Sequence, residues 1–238
     1  MLTQIIERMR SIIRHPGQLL KKKKKRNCPC CGYSGTFISM RKNLPEMRCP
    51  NCASRPRDRL FAHYTIQHNI NLEEKYILHF SPEPNLFRRL KRNPNYISSD
   101  IKKSKYAKFY VDITDISYPD DYFDIVICNH IMEHVEDHIK GFKECYRVLK
   151  NGGIAFFSVP YNSSLEKTWY PPHDMPKEEV EKICGWDHKR IYGQDFPNII
   201  SDVGFTVETY LLNNENTEKY VTTLSDPIFI AKKIVTAK

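Results

Sequence analysis

The chain has 238 residues, of which 40% are hydrophobic and 12% aromatic, enough to build a real core and to exclude a globally disordered chain. No apolar run reaches membrane-spanning length, and Glu7, Arg8 and Arg10 interrupt the apolar pattern that a secretory signal requires. The formal charge of +9 is unevenly placed: residues 1–26 hold nine Lys or Arg against the single acid Glu7, leaving +1 for the other 212 residues. A nucleic-acid face spread over the body of the protein therefore has little compositional support. A cytoplasmic location is the expectation, in which the eight cysteines serve as ligands or free thiols rather than disulfides.

In chain order, Leu2, Ile5, Ile6, Met9, Ile12 and Ile13 recur at helical spacing, and His15-Pro16-Gly17 ends that helix. The basic run Lys21–Arg26 follows. Three readings stay open for residues 1–26. They are an interfacial helix with a polybasic patch on an anionic membrane at the inner face, a basic arm on RNA, and a packed helix followed by a solvated charge run.

Cys28-Pro-Cys-Cys31-Gly and Cys49-Pro-Asn-Cys52 form two CxxC knuckles separated by 17 residues. Each knuckle sets two thiolates on one tight turn, and the two together close a tetrahedron around a structural Zn²⁺ with no open position. Cys30 is an alternative ligand, although Cys28 with Cys31 repeats the spacing of the second pair. Cys128, Cys145 and Cys184 are scattered and read as packing residues.

From residue 75 the pattern turns to strand–helix alternation. KYILHF (75–80), NYISS (95–99), AKFYVDI (107–113), FDIVICN (123–129) and GIAFFSVP (153–160) read as strands. NLFRRLKR (85–92), HIKGFKECYRVLK (138–150) and QDFPNIISDVG (194–204) read as helices, with NGG breaking the chain after the second. FTVETYLL (205–212) and PIFIAKKIV (227–235) read as a terminal strand pair. The expected fold class is α/β, a doubly wound, mostly parallel sheet with a terminal antiparallel strand, preceded by the four-cysteine zinc module. The expected domains are an arm over 1–26, a zinc-knuckle module with a linking helix over 27–70, and the α/β domain over 71–238.

An open α/β sheet places its ligand beyond the carboxyl ends of its strands. Asp100 closes the run NYISSD, where an acid can accept both hydroxyls of a ribose. Asp112 ends the next run, within reach of an adenine edge, and Asn129-His130 ends FDIVICN, where the reacting end of a cofactor would lie.

The ordered set resembles a family. The stretch DITDISYPDDYFDIVICNHIMEHVEDHIKGFKECYRVLKNGGIAFFSVP is similar to the centre of the type 11 class I methyltransferases, and the likeness covers roughly residues 75–212. CPxCG…CPxC, ILHFSPE and DHKRIYGQDF together resemble a bacterial zinc-knuckle subfamily associated with surface-glycan or other secondary biosynthesis. The resemblance implies a Rossmann-like, methyltransferase-like domain that binds S-adenosylmethionine through His79, Phe80, Ser81, Glu83, Asp100, Asp112, Ile113, Asn129 and His130. Glu83 is implied as the partner of the cofactor's amino group. One departure stands out: the glycine-rich loop that follows the family's first strand is here His79-Phe-Ser-Pro-Glu-Pro-Asn85, with no glycine.

His130-Ile-Met-Glu133-His134 also fits the HxxEH zinc-peptidase pattern. The strand before it and the helix after it account for the same letters, and no third ligand is placed by the sequence, so the peptidase reading is set aside. His130, His134 and His188 are the candidate bases for an acceptor that must lose a proton, as a hydroxyl does. Residues 161–193, with Trp169, Tyr170, Pro171, Pro172, His173 and Trp186, form either a substrate lid or a surface excursion packed by its own side chains. The expected activity is O-methylation of a small molecule or glycan precursor. RNA methylation, using the zinc module and basic arm, and a non-catalytic binding protein are the alternatives.

Overall fold

A computed structural model of the chain describes residues 25–39, 47–220 and 226–234, with Met9 and Thr222. The expected helix over 2–13 and most of the basic run lie outside the described residues. Among the described residues, no helix is long and apolar enough to cross a membrane.

The residues form two compact units, divided at Ile70/Asn71 and at Tyr210/Leu211, with the last strand returning to the second unit. In the first unit, β1 (Arg26–Asn27) pairs antiparallel with β2 (Ser34–Gly35), and α1 (Pro56–Gln67) follows the second knuckle. Pro56 opens α1, where its missing N–H costs nothing, and Asp58 accepts from the Arg55 N–H at 2.8 Å. A short helix, α6 (Asn214–Tyr220), belongs to the same unit.

Among the described residues of this unit, Cys28, Cys30, Phe37, Cys49 and Ala62 form one buried cluster, and Leu60, Phe61 and Tyr64 of α1 are buried as well. Arg59 is fully buried too: the guanidinium donates to the carbonyls of Ser54 (2.6 Å), Met47 (2.8 Å) and Tyr220 (2.6 Å) and lies 4.9 Å from the Phe37 ring centroid. A buried cation is tolerated there because three carbonyl dipoles face it.

The second unit is a six-stranded sheet. It contains β3 (Ile77–Phe80), β4 (Tyr96–Ser99), β5 (Phe123–Asn129), β6 (Leu149–Ser158), β7 (Phe205–Tyr210) and β8 (Ile228–Lys233) in the order β4-β3-β5-β6-β8-β7. β4, β3, β5 and β6 are parallel, and the chain-terminal β8 runs antiparallel to both β6 and β7. The helices are α2 (Pro84–Leu90), α3 (His138–Val148), α4 (Lys177–Cys184) and α5 (Phe196–Ser201). Six of the seven β5 residues are buried, as a central parallel strand covered on both faces requires. α3 buries His138, Gly141, Phe142, Cys145 and Val148, one helical stripe, and the Asp137 side chain caps it through the Lys140 N–H at 2.9 Å. The Phe142 ring meets Phe157 of β6 edge-on at 5.1 Å. Burying such a side chain stabilises by about 1.5–3 kcal/mol.

Two expected elements differ. Residues 107–113 form no strand of the sheet: Lys108 and Phe109 both donate to the Ser98 carbonyl, Phe109 makes one isolated bridge to Ser99, and the chain then turns at Asp112–Asp115. Phe109 and Tyr110 in that run are 45% and 75% exposed, so two of its four large apolar residues cover no core. The Asn151-Gly-Gly153 break lies inside β6, where a register shift opposite Phe123 and Ile125 absorbs it and Gly152 takes φ +79°.

Candidate active site

The strand order reverses at β3, because the chain leaves it toward β4 on one side and returns to β5 on the other. A crevice opens at the carboxyl ends of strands at such a switch point. Here it is a cavity of about 660 Å³, lined by Phe80 and Ser81 after β3, Asp100 to Lys102 after β4, Val111 to Thr114, and His130 and Ile131 after β5. His134 to Asp137, Lys140, Trp186 and Asp187 complete the lining.

Six of the nine residues expected to hold cofactor meet in this cavity: Phe80, Ser81, Asp100, Asp112, Ile113 and His130. Asp100 accepts from the Lys102 N–H at 2.9 Å, and a carboxylate has further lone pairs for a ligand's hydroxyls. Asp112 Oδ1 accepts from both the backbone N–H and the hydroxyl of Thr114, each at 2.8 Å, which fixes the turn that carries Ile113. The other three stand outside the lining. His79 is fully buried between Tyr96 Oη (2.9 Å from Nδ1) and Glu83 Oε2 (3.0 Å from Nε2). Glu83 is thereby committed to the base of the loop, and Asn129 accepts from the Ser158 hydroxyl at 3.0 Å.

The glycine-free loop is explained by its backbone. Ser81 sits at φ +44°, the conformation glycine usually supplies, and is held by its N–H bond to the Ser99 carbonyl at 2.7 Å. His130 (φ +54°) and Asp187 (φ +58°) share that strained region. Three of the six described non-glycine residues with positive φ thus line one cavity. Strain of about 1–3 kcal/mol per residue persists only where the surroundings over-determine it, as they do at ligand sites.

Of the candidate bases, His130 and His134 line the cavity, whereas His188 stands behind it in a neighbouring depression with Tyr170, Pro171, Pro172 and His173. The His134 and His188 rings meet edge-on at 4.7 Å. Of the aromatic residues in the 161–193 connection, Trp186 reaches the cavity, and it is 69% exposed with the Lys102 ammonium 5.7 Å from its ring.

Two groups carried no sequence signal of their role. Arg190 is buried and donates to the carbonyls of Met132 (2.8 Å), Val135 (2.6 Å) and Glu136 (2.8 Å), clamping the loop after β5. His138 forms a relay in which Tyr170 Oη lies 3.1 Å from Nε2, Tyr192 Oη lies 2.9 Å from Nδ1, and Tyr192 donates to the Met132 carbonyl at 3.2 Å. That order fits a neutral imidazole with its proton on Nδ1.

Burial, with the nearby Arg190 charge outweighing Asp137, pushes His138 down to about 4. Its folded value lies below the unfolded value near 6.5, so the stability it contributes is complete above pH 6.5 and is lost as pH falls toward 4. Chemical denaturation at pH 7 and pH 4.5 should show His138→Gln losing about 2 kcal/mol less than wild type over that interval, after allowance for solvent screening. Equal losses in the two proteins would remove His138 from the account.

In the first unit, the Sγ atoms of Cys28, Cys31, Cys49 and Cys52 lie within 4.8 Å of one another. The Cys28–Cys52 and Cys31–Cys49 separations are 3.7 and 3.8 Å, and four sulfurs about 2.3 Å from a tetrahedral Zn²⁺ stand about 3.8 Å apart. The donor set therefore fits the ion. Cys30 falls outside it, its thiol donating to the Asp58 carbonyl at 3.3 Å.

Residues 83–157 match the family model described as a methyltransferase domain. The ubiquinone/menaquinone biosynthesis C-methyltransferase UbiE of Vibrio vulnificus is 37% identical over 68 residues, covering 26% of this chain and 26% of that protein. The chain thus matches about a quarter of that relative's length. An S-adenosylmethionine-dependent methyltransferase from Mesorhizobium loti superposes with a TM-score of 0.51 at 13% identity, covering 72% of this chain and 97% of that one. The 1,6-didemethyltoxoflavin-N1-methyltransferase of Burkholderia thailandensis gives a TM-score of 0.53 at 10% identity, covering 74% and 77%. These two likenesses are of fold alone. The family match spans most of the segments that line the cavity, and the second unit shares its fold with these two methyltransferases.

Proposed function

We propose that the protein is an S-adenosylmethionine-dependent methyltransferase acting on a hydroxyl of a small molecule or glycan precursor. The supporting observation is the cavity at the β3/β5 switch point, where Ser81, Asp100, Asp112 and His130 converge from the connections that follow β3, β4 and β5. Its volume of about 660 Å³ suits one cofactor with a small acceptor beside it. Asp100 would take the ribose hydroxyls, Asp112 and Ile113 would flank the adenine, and Ser81 would approach the methionine part through its backbone. When bound, the cofactor supplies an electrophilic methyl group whose sulfonium leaves readily.

The protein's own contribution is then alignment, exclusion of water and removal of one proton. His130, about a third exposed at the cavity wall, is the base assigned to the acceptor hydroxyl. Trp186 at the cavity margin offers a flat apolar face of the kind that stacks on a sugar ring. Cys28, Cys31, Cys49 and Cys52 hold a structural Zn²⁺ in this reading, and the basic arm plays no part in the chemistry.

Calorimetric titration of the full chain with S-adenosylhomocysteine tests the proposal. Binding in the micromolar range is expected, with Asp100→Ala weaker by about 100-fold, the loss of charge-assisted bonds worth roughly 3 kcal/mol. No binding to folded wild-type protein would leave a methyltransferase-fold scaffold in place of an enzyme.

A further inference from the structure

Glu133 is fully buried, and neither carboxylate oxygen has a hydrogen-bond partner. His130 Nδ1 is 3.2 Å from Oε1, but the contact lacks hydrogen-bond geometry. A carboxylate taken out of water with no donor on either oxygen is unfavourable by several kcal/mol, so the position calls for a cation. What surrounds it is a set of metal-ligand donors. One carboxylate oxygen of Glu133 and one ring nitrogen each of His134 and His188 lie within 4.8 Å of one another.

The surrounding hydrogen bonds orient the two rings. The Asp187 carbonyl stands 2.9 Å from His134 Nδ1, which fixes the proton there and leaves Nε2 free, as an outer carbonyl does for a ligating histidine. His188 Nδ1 is buried without a hydrogen-bond partner. Gly185 lets this ring approach, because a Cβ there would come within 3.1 Å of Nδ1. The Lys189 N–H donates to the Glu133 carbonyl at 2.7 Å, tying the loop that carries His188 to the loop that carries Glu133.

We propose that Glu133, His134 and His188 form a binding site for one divalent first-row metal ion, Zn²⁺ being the reference case. Small side-chain rotations bring the three donors to the separation of about 3.4 Å that ligands about 2.1 Å from a tetrahedral ion require. Three protein ligands leave a position open, and His134 itself lines the cavity. The open position would take an oxygen of the acceptor and lower its pKa, with His130 receiving the proton. That second step rests on the methyltransferase reading, whereas metal binding itself does not. His134 and His188 are then ligands rather than bases.

The arrangement also replaces the HxxEH geometry. Residues 130–137 form turns and not a helix, so the ligand pair is Glu133 with His134, and the third ligand comes from the 185–189 loop.

The test uses full-length protein whose cysteine site is already filled with zinc, titrated with Co²⁺ in the absence of cofactor. One further equivalent should bind, giving visible d–d bands without the near-ultraviolet charge-transfer absorption of a cobalt–thiolate bond. Glu133→Gln and His188→Ala should each lose that equivalent while keeping the cysteine-bound zinc and the wild-type circular dichroism. His188 is only partly buried, so its variant stays informative even if Glu133→Gln folds poorly. No further uptake by wild type, or unchanged uptake in the folded variants, overturns the site. If Co²⁺ binds as described and S-adenosylhomocysteine does not, the methyltransferase reading alone falls.

Discussion

Cys49→Ser is expected to abolish binding of one zinc equivalent and to unfold the first unit. Cys49 is 1% exposed, and its sulfur is 3.8 Å from that of Cys31, the edge length of a zinc–thiolate tetrahedron. Among the described residues the unit has two strands of two residues each and two helices, a limited scaffold of the kind that a bound metal ion commonly staples. Structural zinc contributes on the order of 10 kcal/mol to folding in small modules of this kind, which makes metal removal the largest single effect expected in the molecule. Limited proteolysis after treatment with a strong chelator should cut within residues 47–67, and zinc analysis of Cys49→Ser should show the missing equivalent. Cys30→Ser is the control: its thiol serves the Asp58 carbonyl, so zinc content should stay at the wild-type level. A Cys49→Ser protein that keeps its zinc and its protease resistance would remove the metal from the folding of this unit.

The zinc spacing was legible because the chemistry is local: two ligands on one turn need two residues between them whatever the rest of the chain does. The parallel strands were legible for a related reason. FDIVICN is apolar throughout because both its faces are covered, and its terminal residues mark the site because ligands gather at strand ends. Residues 107–113 were misread because a strand exists only with a ladder to join, and composition does not show that this segment meets β4 at one bridge. The buried arginines were invisible for a different reason. Arg59 and Arg190 occur in sequences that look like solvated surface, and only the fold brings backbone carbonyls to their guanidinium groups. His79 and Glu83 carried a usable signal, since residues four apart across a tight loop can pair with each other before they pair with a ligand. The Glu133 cluster had half of one, in the adjacent acid and histidine, with His188 supplied by a distant loop.

Arg190→Met should destabilise the protein by about 4 kcal/mol and carry cofactor affinity down with it. The substitution keeps an unbranched apolar stem of similar length, so the packing loss is small and the effect isolates the guanidinium. The carbonyls of Val135 and Glu136 lose the Arg190 donor and that of Met132 keeps only the Tyr192 hydroxyl, and each buried acceptor left without a donor costs roughly 1–3 kcal/mol before relaxation and entering water recover a part. Those carbonyls belong to the loop that follows β5, and Val135 and Glu136 themselves line the cavity. Loosening them also frees His130 from a backbone conformation near φ +54° that the loop alone does not favour. The weakening should therefore appear in two independent measurements, a lower denaturation midpoint and a weaker S-adenosylhomocysteine titration. Arg190→Lys separates charge from shape: its single ammonium cannot reproduce two guanidinium nitrogens spread over three acceptors, so it should fall between wild type and Arg190→Met. If Arg190→Lys matched wild type in both, positive charge alone would suffice at this position, and the forked geometry would have no role in holding the site.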